Sequence, residues 1–220
     1  MTRPTEHEPP LLRLYAELPR TQALGPYLRY GVWVQGCSHR CLGCFTPDAL
    51  SYYAGYQVAH DVLARRILAV PEIEGITLSG GEPFSQARGL AELIQGLREK
   101  RDLGVILYTG FREEELRRMG RRSSGVMALL ERVDLLVDGP YRAEQDDGLA
   151  LRGSSNQRIL ALSPRYQDKL SIYGQPERQA EIHVLDGVVF LAGIPGDAVR
   201  HQWQTLKTTT STDFSFSKKD

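Results

Sequence analysis

Three cysteines within one eight-residue stretch constrain this chain more than any other feature. Cys37, Cys41 and Cys44 are separated by three and then two residues, and the chain has no other cysteine. An odd number of thiols packed this tightly makes a poor disulfide framework. Thiolates are the usual ligands of iron–sulfur clusters. The spacing therefore predicts a metal centre, in a compartment that keeps thiols reduced.

Three thiols leave one corner of a four-iron cubane without a protein ligand, since the chain has no fourth cysteine. An open coordination position is typical of catalytic rather than structural metal sites. Gly36 and Gly43 would let the backbone wrap closely around such a cluster. Zinc held by the cysteines and His39 is the alternative, although zinc ligands usually come as two separated pairs. On that rule His39 is expected to be an ordinary loop residue.

The overall composition excludes several functional classes. Lys and Arg together number 27, as do Asp and Glu, so the formal net charge is zero. This balance gives no support for binding nucleic acid or an acidic membrane surface. No apolar run approaches the roughly 18 residues of a membrane helix. The N-terminus has no apolar core typical of a signal peptide, so we expect a cytoplasmic protein.

Short apolar runs alternate with amphipathic segments along the chain, which predicts βαβ units and a parallel sheet. Strands are expected at 11–16, 30–35, 75–79, 105–108, 133–137 and 158–162, and helices at 58–70, 90–97, 113–119 and 125–131. The segment 181–195 predicts a hairpin. We expect a single domain over 11–205, with a mobile N-terminus at 1–10 and a disordered, Ser/Thr/Lys-rich tail at 206–220.

Three further segments follow predicted strands. Ser79–Pro83 contains two glycines that allow close approach to the backbone, and a carboxylate, Glu82, that could accept hydrogen bonds from an ammonium group. Tyr108–Gly110 and Val137–Tyr141 end the next two strands, where ligands of open α/β sheets bind. The segment 151–158 is rich in hydrogen-bonding side chains. Taken alone, each of these segments could equally be a plain turn or loop.

The stretch from Gly25 to Cys44, with its cysteine spacing, resembles radical S-adenosylmethionine (SAM) enzymes. It is most similar to the small activating enzymes of anaerobic ribonucleotide reductase and pyruvate formate-lyase. Gly43, where most members carry an aromatic residue, resembles the former group. The resemblance covers about 24–160. It implies an α/β fold: a partial (βα)6-type barrel of parallel strands with outer helices and short terminal extensions.

The resemblance also implies two cofactors, one 4Fe–4S cluster and SAM. Its metal ligands would be Cys37, Cys41 and Cys44. The implied cofactor-binding residues are Gly43, Phe45, Gly80, Gly81, Glu82, Pro83, Thr109 and Asp138, and the implied substrate or cofactor contacts are Arg152, Ser154, Asn156 and Gln157. Pro140 departs from the pyruvate formate-lyase activases, which have a lysine there.

The implied reaction is reductive cleavage of SAM to a 5′-deoxyadenosyl radical, which abstracts a hydrogen atom. The implied substrate is a glycine of a partner glycyl radical enzyme, and a flavodoxin or ferredoxin-type protein would supply the electron. Neither nucleic acid nor membrane is an expected partner. Two alternatives stay open: radical modification of another peptide, protein or small molecule, and a non-catalytic redox-sensing or structural cluster protein.

Overall fold

The computed structural model describes residues 11–176, 178–185 and 188–209. The strands are β1 (Leu11–Thr21), β2 (Arg29–Val34), β3 (Tyr56–Ala59), β4 (Gly75–Gly80), β5 (Gly104–Thr109), β6 (Leu135–Asp138), β7 (Arg158–Ala161), β8 (Ala180–Leu185) and β9 (Val188–Gly193). The α-helices are α1 (His60–Leu68), α2 (Ala87–Arg98), α3 (Glu113–Gly120), α4 (Ser124–Leu130) and α5 (Asp197–Thr209). None of these helices is long and apolar enough to cross a membrane.

Seven strands form one sheet in the order β3-β1-β2-β4-β5-β6-β7. The central strands β2, β4, β5 and β6 are parallel, and helices connect each to the next. β1, β3 and β7 pair antiparallel with their neighbours. The α/β class is therefore confirmed. Only four strands of this sheet are parallel, whereas the predicted partial barrel has six. Parallel pairing needs a long crossover, whereas β1 and β2 are joined by only 22–28, and 139–157 contains no α-helix.

Helices α1 to α4 cover one face of this sheet. Alternate residues of the parallel strands, such as Ile76 and Leu78 on β4, pack against the apolar face of α2. That face follows the predicted i, i+3, i+4, i+7 spacing and consists of Leu90, Leu93, Ile94 and Leu97, each at most 1% exposed. Because β2, β4, β5 and β6 are parallel, their carboxyl ends lie at one edge of the sheet.

The C-terminal part of the chain covers the opposite face. Ile106 and Val137 pack against Tyr166 and Tyr173, which lie on two short 3-10 helices. Farther along the sheet, Trp33 meets Phe190 of β9 edge to face, with ring centroids 4.7 Å apart. An opening at the carboxyl ends of the parallel strands lies beside both clusters, since Trp33 and Tyr108 line it.

The C-terminal predictions had mixed outcomes. β8 and β9 pair antiparallel, which confirms the hairpin. α5 was not predicted, although Val199, Trp203 and Leu206 have a helical spacing. Because α5 ends at Thr209, the first four residues of the predicted tail, 206–209, are helical. The predicted mobile N-terminus, 1–10, and the tail residues 210–220 lie outside the described residues.

Candidate active site at the cysteine loop

The cysteine loop begins where β2 ends and is attached to the end of β4 by backbone hydrogen bonds. Gly81 N donates to Val34 O at 2.7 Å, and Glu82 N donates to Gly36 O at 2.8 Å. A Cβ at Gly81 would lie 2.3 Å from Gly36 O. The glycine is therefore required for the approach of two protein backbones, whereas the close approach expected from the sequence is that of a ligand.

The three thiols open onto one cleft. Cys37 is buried, Cys41 and Cys44 are half-buried, and all three are free. They line a cavity of about 190 Å³ together with Gly80 and Gly81. This volume is several times the roughly 30 Å³ that a water molecule occupies in the liquid. The cleft can therefore admit a ligand.

The donor set fits an iron–sulfur cluster. In a cubane each thiolate binds a different iron, so the three sulfur atoms need not converge on a single point. Within the described part of the chain, no three His, Cys, Asp or Glu side chains are placed to hold a single metal ion, which gives the zinc alternative no support. Burial raises the pKa of the Cys37 and Cys41 thiols, so iron binding would have to displace their protons.

His39 lines the same cleft, where its side chain contacts Glu82 and Phe111. Its Nε2 lies 3.4 Å from a Glu82 carboxylate oxygen, an ion-pair distance rather than a well-formed hydrogen bond. Its ring meets Phe111 edge to face, with centroids 4.5 Å apart. The neighbouring Glu82 carboxylate raises the pKa of His39, against the opposing effect of burial.

Similarity to known proteins bears on this site. Residues 23–160 match the family model described as a 4Fe-4S single cluster domain. The chain is 34% identical over 143 residues to the anaerobic ribonucleoside-triphosphate reductase-activating protein of Vibrio cholerae, covering 61% of this chain and 88% of that one. The proteins of the same name from Haemophilus influenzae and Escherichia coli K12 are 33% and 30% identical, with the same 61% of this chain and 88% and 89% of theirs.

The chain belongs to the radical SAM activases with a single 4Fe–4S cluster domain. The family resemblance inferred from the cysteine loop is thereby confirmed. It is an enzyme family whose cofactors are the 4Fe–4S cluster and SAM.

The activase holds Glu82 inside the protein. This carboxylate is 2% exposed. Its Oε1 accepts hydrogen bonds from Phe84 N and Thr109 Oγ1, each at 2.9 Å, and its Oε2 accepts one from Gly110 N at 2.9 Å. Glu82 therefore ties the end of β4 to the end of β5, and its predicted contact with the cofactor stays a prediction.

We expect Glu82→Gln to lower the free energy of unfolding by about 1–3 kcal/mol, the cost of a buried group without its partner. Each carboxylate oxygen accepts from a backbone N–H, so the new amide group faces a donor in either orientation. Urea denaturation of the metal-free, reduced chain measures the change, with the more exposed Glu92→Gln on α2 as control. Equal stability of Glu82→Gln and wild type would show that these hydrogen bonds contribute nothing.

Asp138 does not line the cleft, and its expected contact with the cofactor stays a prediction. Its side chain is fully buried and faces α3, where it accepts a hydrogen bond from Glu113 N at 2.8 Å. It also pairs with Arg112 and Arg158. A carboxylate at the start of a helix is favoured by the unpaired N–H groups there, so Asp138 connects β6 to α3.

The predicted contacts at 151–158 mostly bind a neighbouring loop. Asn156 Nδ2 donates to Pro140 O at 2.7 Å, Gln157 Nε2 donates to Gly139 O at 3.0 Å, and Ser154 Oγ accepts from Arg142 N at 3.1 Å. These bonds fix the position of 139–142 at the edge of the cleft. The segment 151–158 therefore positions a neighbouring loop of the cleft rather than forming most of the cleft surface itself.

Nine of the fifteen predicted site residues line the cleft: Cys37, Cys41, Cys44, Phe45, Gly80, Gly81, Glu82, Thr109 and Gln157. The other six do not: Gly43, Pro83, Asp138, Arg152, Ser154 and Asn156. Gly43 has φ +75, a conformation that favours glycine, and lies beside Ala143 and Tyr141. Pro83 is buried at the start of a 3-10 helix, and Arg152 pairs with Asp147.

Sequence reasoning missed several cleft residues, among them Trp33, Tyr108, Tyr141, Ile194, Pro195 and Arg200. Tyr108 and Tyr141 lie in segments that follow predicted strands, so position along the strand could have found them. Ile194 and Pro195 end the predicted hairpin and Arg200 follows it, and all three are distant in sequence from the cysteine loop. Only the folding of the C-terminal part over the sheet brings them to the site.

Proposed function

We propose that this activase generates a glycyl radical in a partner enzyme of the anaerobic ribonucleoside-triphosphate reductase type. Cys37, Cys41 and Cys44 would hold the cluster, and the corner they leave open would take SAM. The observation that carries the proposal is that all three thiols face one cleft with the Gly80–Gly81 turn. The names of the curated relatives supply the type of partner.

When bound, the cluster and SAM supply a 5′-deoxyadenosyl radical that takes a hydrogen atom from the substrate. The protein's own contribution is to bind, orient and shield. The turn at Gly80–Gly81 would contact the methionine part of SAM through its backbone, and Glu82 keeps that turn in position. Trp33 and Leu24 give the cleft an apolar wall that excludes water from the reactive species.

We extend the proposal to the fold around the site, the electron donor and the cellular location. The four parallel strands and their helices would form part of a barrel that curves around the site. A flavodoxin or ferredoxin-type protein would supply the electron. We place the protein in the cytoplasm, where thiols stay reduced. Modification of another peptide, protein or small molecule is the second candidate, supported by the sequence that continues beyond the matched 23–160.

Anaerobic assay of the reconstituted, dithionite-reduced protein tests the proposal. We expect it to cleave SAM to 5′-deoxyadenosine and to produce a glycyl radical signal, by electron paramagnetic resonance, on the anaerobic reductase from the same organism. An intact cluster with no SAM cleavage and no SAM-dependent change in its spectrum would favour the sensor or structural alternative. Cleavage without a glycyl radical would favour the second candidate.

A further inference from the structure

The chain continues well beyond the part that it shares with its relatives. The family model ends at residue 160. The chain covers 88% of the Vibrio cholerae protein, but only 61% of this chain is matched. We call residues 161–209 the C-terminal extension. It contains the β8–β9 hairpin and α5.

The C-terminal extension forms one wall of the cleft that holds the three thiols. Ile194 and Pro195, directly after β9, line this cleft, as does Arg200 on α5. The hairpin is anchored below them, because Phe190 packs on Trp33. A ligand in the cleft would therefore meet the extension on one side and the cysteine loop on the other.

The carboxylate of Asp146 pairs with one arginine on each side of the β8–β9 hairpin. Asp146 lies in the connection between β6 and β7. Arg178, just before β8, pairs with it at 2.6 Å from Nη2 and 2.9 Å from Nη1. Arg200, after β9, approaches the same carboxylate at 3.3 Å. The Asp146 side chain is only 13% exposed, so these charges are largely removed from water and their geometry is well defined.

Arg200 also contacts Tyr141. Its Nη1 donates a hydrogen bond to the Tyr141 hydroxyl at 2.5 Å, and its guanidinium lies 5.5 Å from the centre of the Tyr141 ring. Tyr141 lines the cleft as well. A phenol that accepts one hydrogen bond keeps its own O–H for donation. The wall thus places a polar pair, Arg200 and Tyr141, beside an apolar pair, Ile194 and Pro195.

We infer that the C-terminal extension determines which polypeptide this activase accepts, and that Arg200 is its specificity-determining residue. The inference rests on the proposed function. An extended peptide offers apolar side chains and main-chain carbonyls in alternation. Ile194 and Pro195 contact the side chains, while Arg200 and Tyr141 donate hydrogen bonds to the carbonyls.

A binding measurement on the full-length, cluster-loaded protein tests this inference. The probe is a fluorescently labelled synthetic peptide spanning the glycine-bearing segment of an anaerobic ribonucleoside-triphosphate reductase, followed by anisotropy in the presence of SAM. We expect Arg200→Gln to raise the Kd for the peptide about tenfold, the effect of losing one charge-assisted hydrogen bond. The Kd for SAM and the rate of SAM cleavage without peptide are measured on the same samples, and we expect the loss of affinity to be larger for the peptide than for SAM.

Arg98→Gln is the matched control. Arg98 forms a comparable ion pair with Asp134 at 2.6 Å, and neither residue lines the cleft. We expect this variant to bind the peptide as wild type does. The inference is overturned if Arg200→Gln leaves the peptide Kd unchanged, if it weakens SAM and peptide binding alike, or if wild type does not bind the peptide. Absence of SAM cleavage in wild type would instead refute the proposed function.

Discussion

Replacing any one of the three cysteines by alanine is expected to lower SAM cleavage by on the order of a hundredfold or more. Changing a partner that merely orients a metal ligand costs 10–100-fold, and loss of a ligand should exceed that. The chain has no other cysteine to take its place. Iron and sulfide content, together with 5′-deoxyadenosine formed per reduced protein, measure the effect in Cys37→Ala, Cys41→Ala and Cys44→Ala.

The control for this series is Ser38→Ala, an exposed position of the same loop. We expect it to keep the wild-type iron content and cleavage rate, because the loop's attachment depends on backbone bonds at Gly36 and Cys37. Wild-type iron content in one of the alanine variants would show that its cysteine is not a cluster ligand. Iron loss in Ser38→Ala would show that the loop tolerates no change at all.

Arg29→Met is expected to produce the largest loss of stability, about 3–5 kcal/mol, as for a buried ion pair that loses one partner. Arg29 is fully buried near the amino ends of the parallel strands. The five N–H groups of its guanidinium lie within hydrogen-bond distance of six acceptors: Pro26 O, Glu74, Ile76 O, Thr77, Gly104 O and Tyr166. Methionine has a similar length but no donors, so it leaves these acceptors without their partner.

Urea denaturation of the metal-free, reduced chain measures this loss. Arg88→Met is the control, because Arg88 is 83% exposed and pairs with Glu92 on the surface of α2. An exposed pair of this kind is worth under about 1 kcal/mol. If Arg29→Met unfolds at the same urea concentration as wild type, the buried guanidinium is not what connects these strands to Tyr166.

Arg29 also illustrates the limit of sequence reasoning. Arginine is almost never fully buried unless it is paired, and its partners Glu74, Gly104 and Tyr166 are 45, 75 and 137 residues away. No local pattern indicates such a set. The same holds for Asp138, which lies at the end of a predicted strand yet is turned toward Arg112, Arg158 and α3.

The helices and strands were easier to predict from the sequence than these long-range contacts. Short apolar runs predicted the parallel strands, because such strands are buried on both faces. Amphipathic patterns predicted α1 to α4, because each helix buries one face. Strand direction was not accessible in the same way. Whether β1 and β7 pair parallel or antiparallel depends on the length of their connections, and an apolar run by itself carries no information on that length.

The cysteine spacing by itself determined the family and the chemistry of the site, because iron ligation needs particular side chains at short range. It also explains why an open iron corner was expected from the absence of a fourth thiol. Only the tertiary structure decided what surrounds that corner. It turned Glu82 inward and brought Ile194, Pro195 and Arg200 to the cleft, since contacts between distant segments are set by packing across the whole sheet rather than by neighbouring residues.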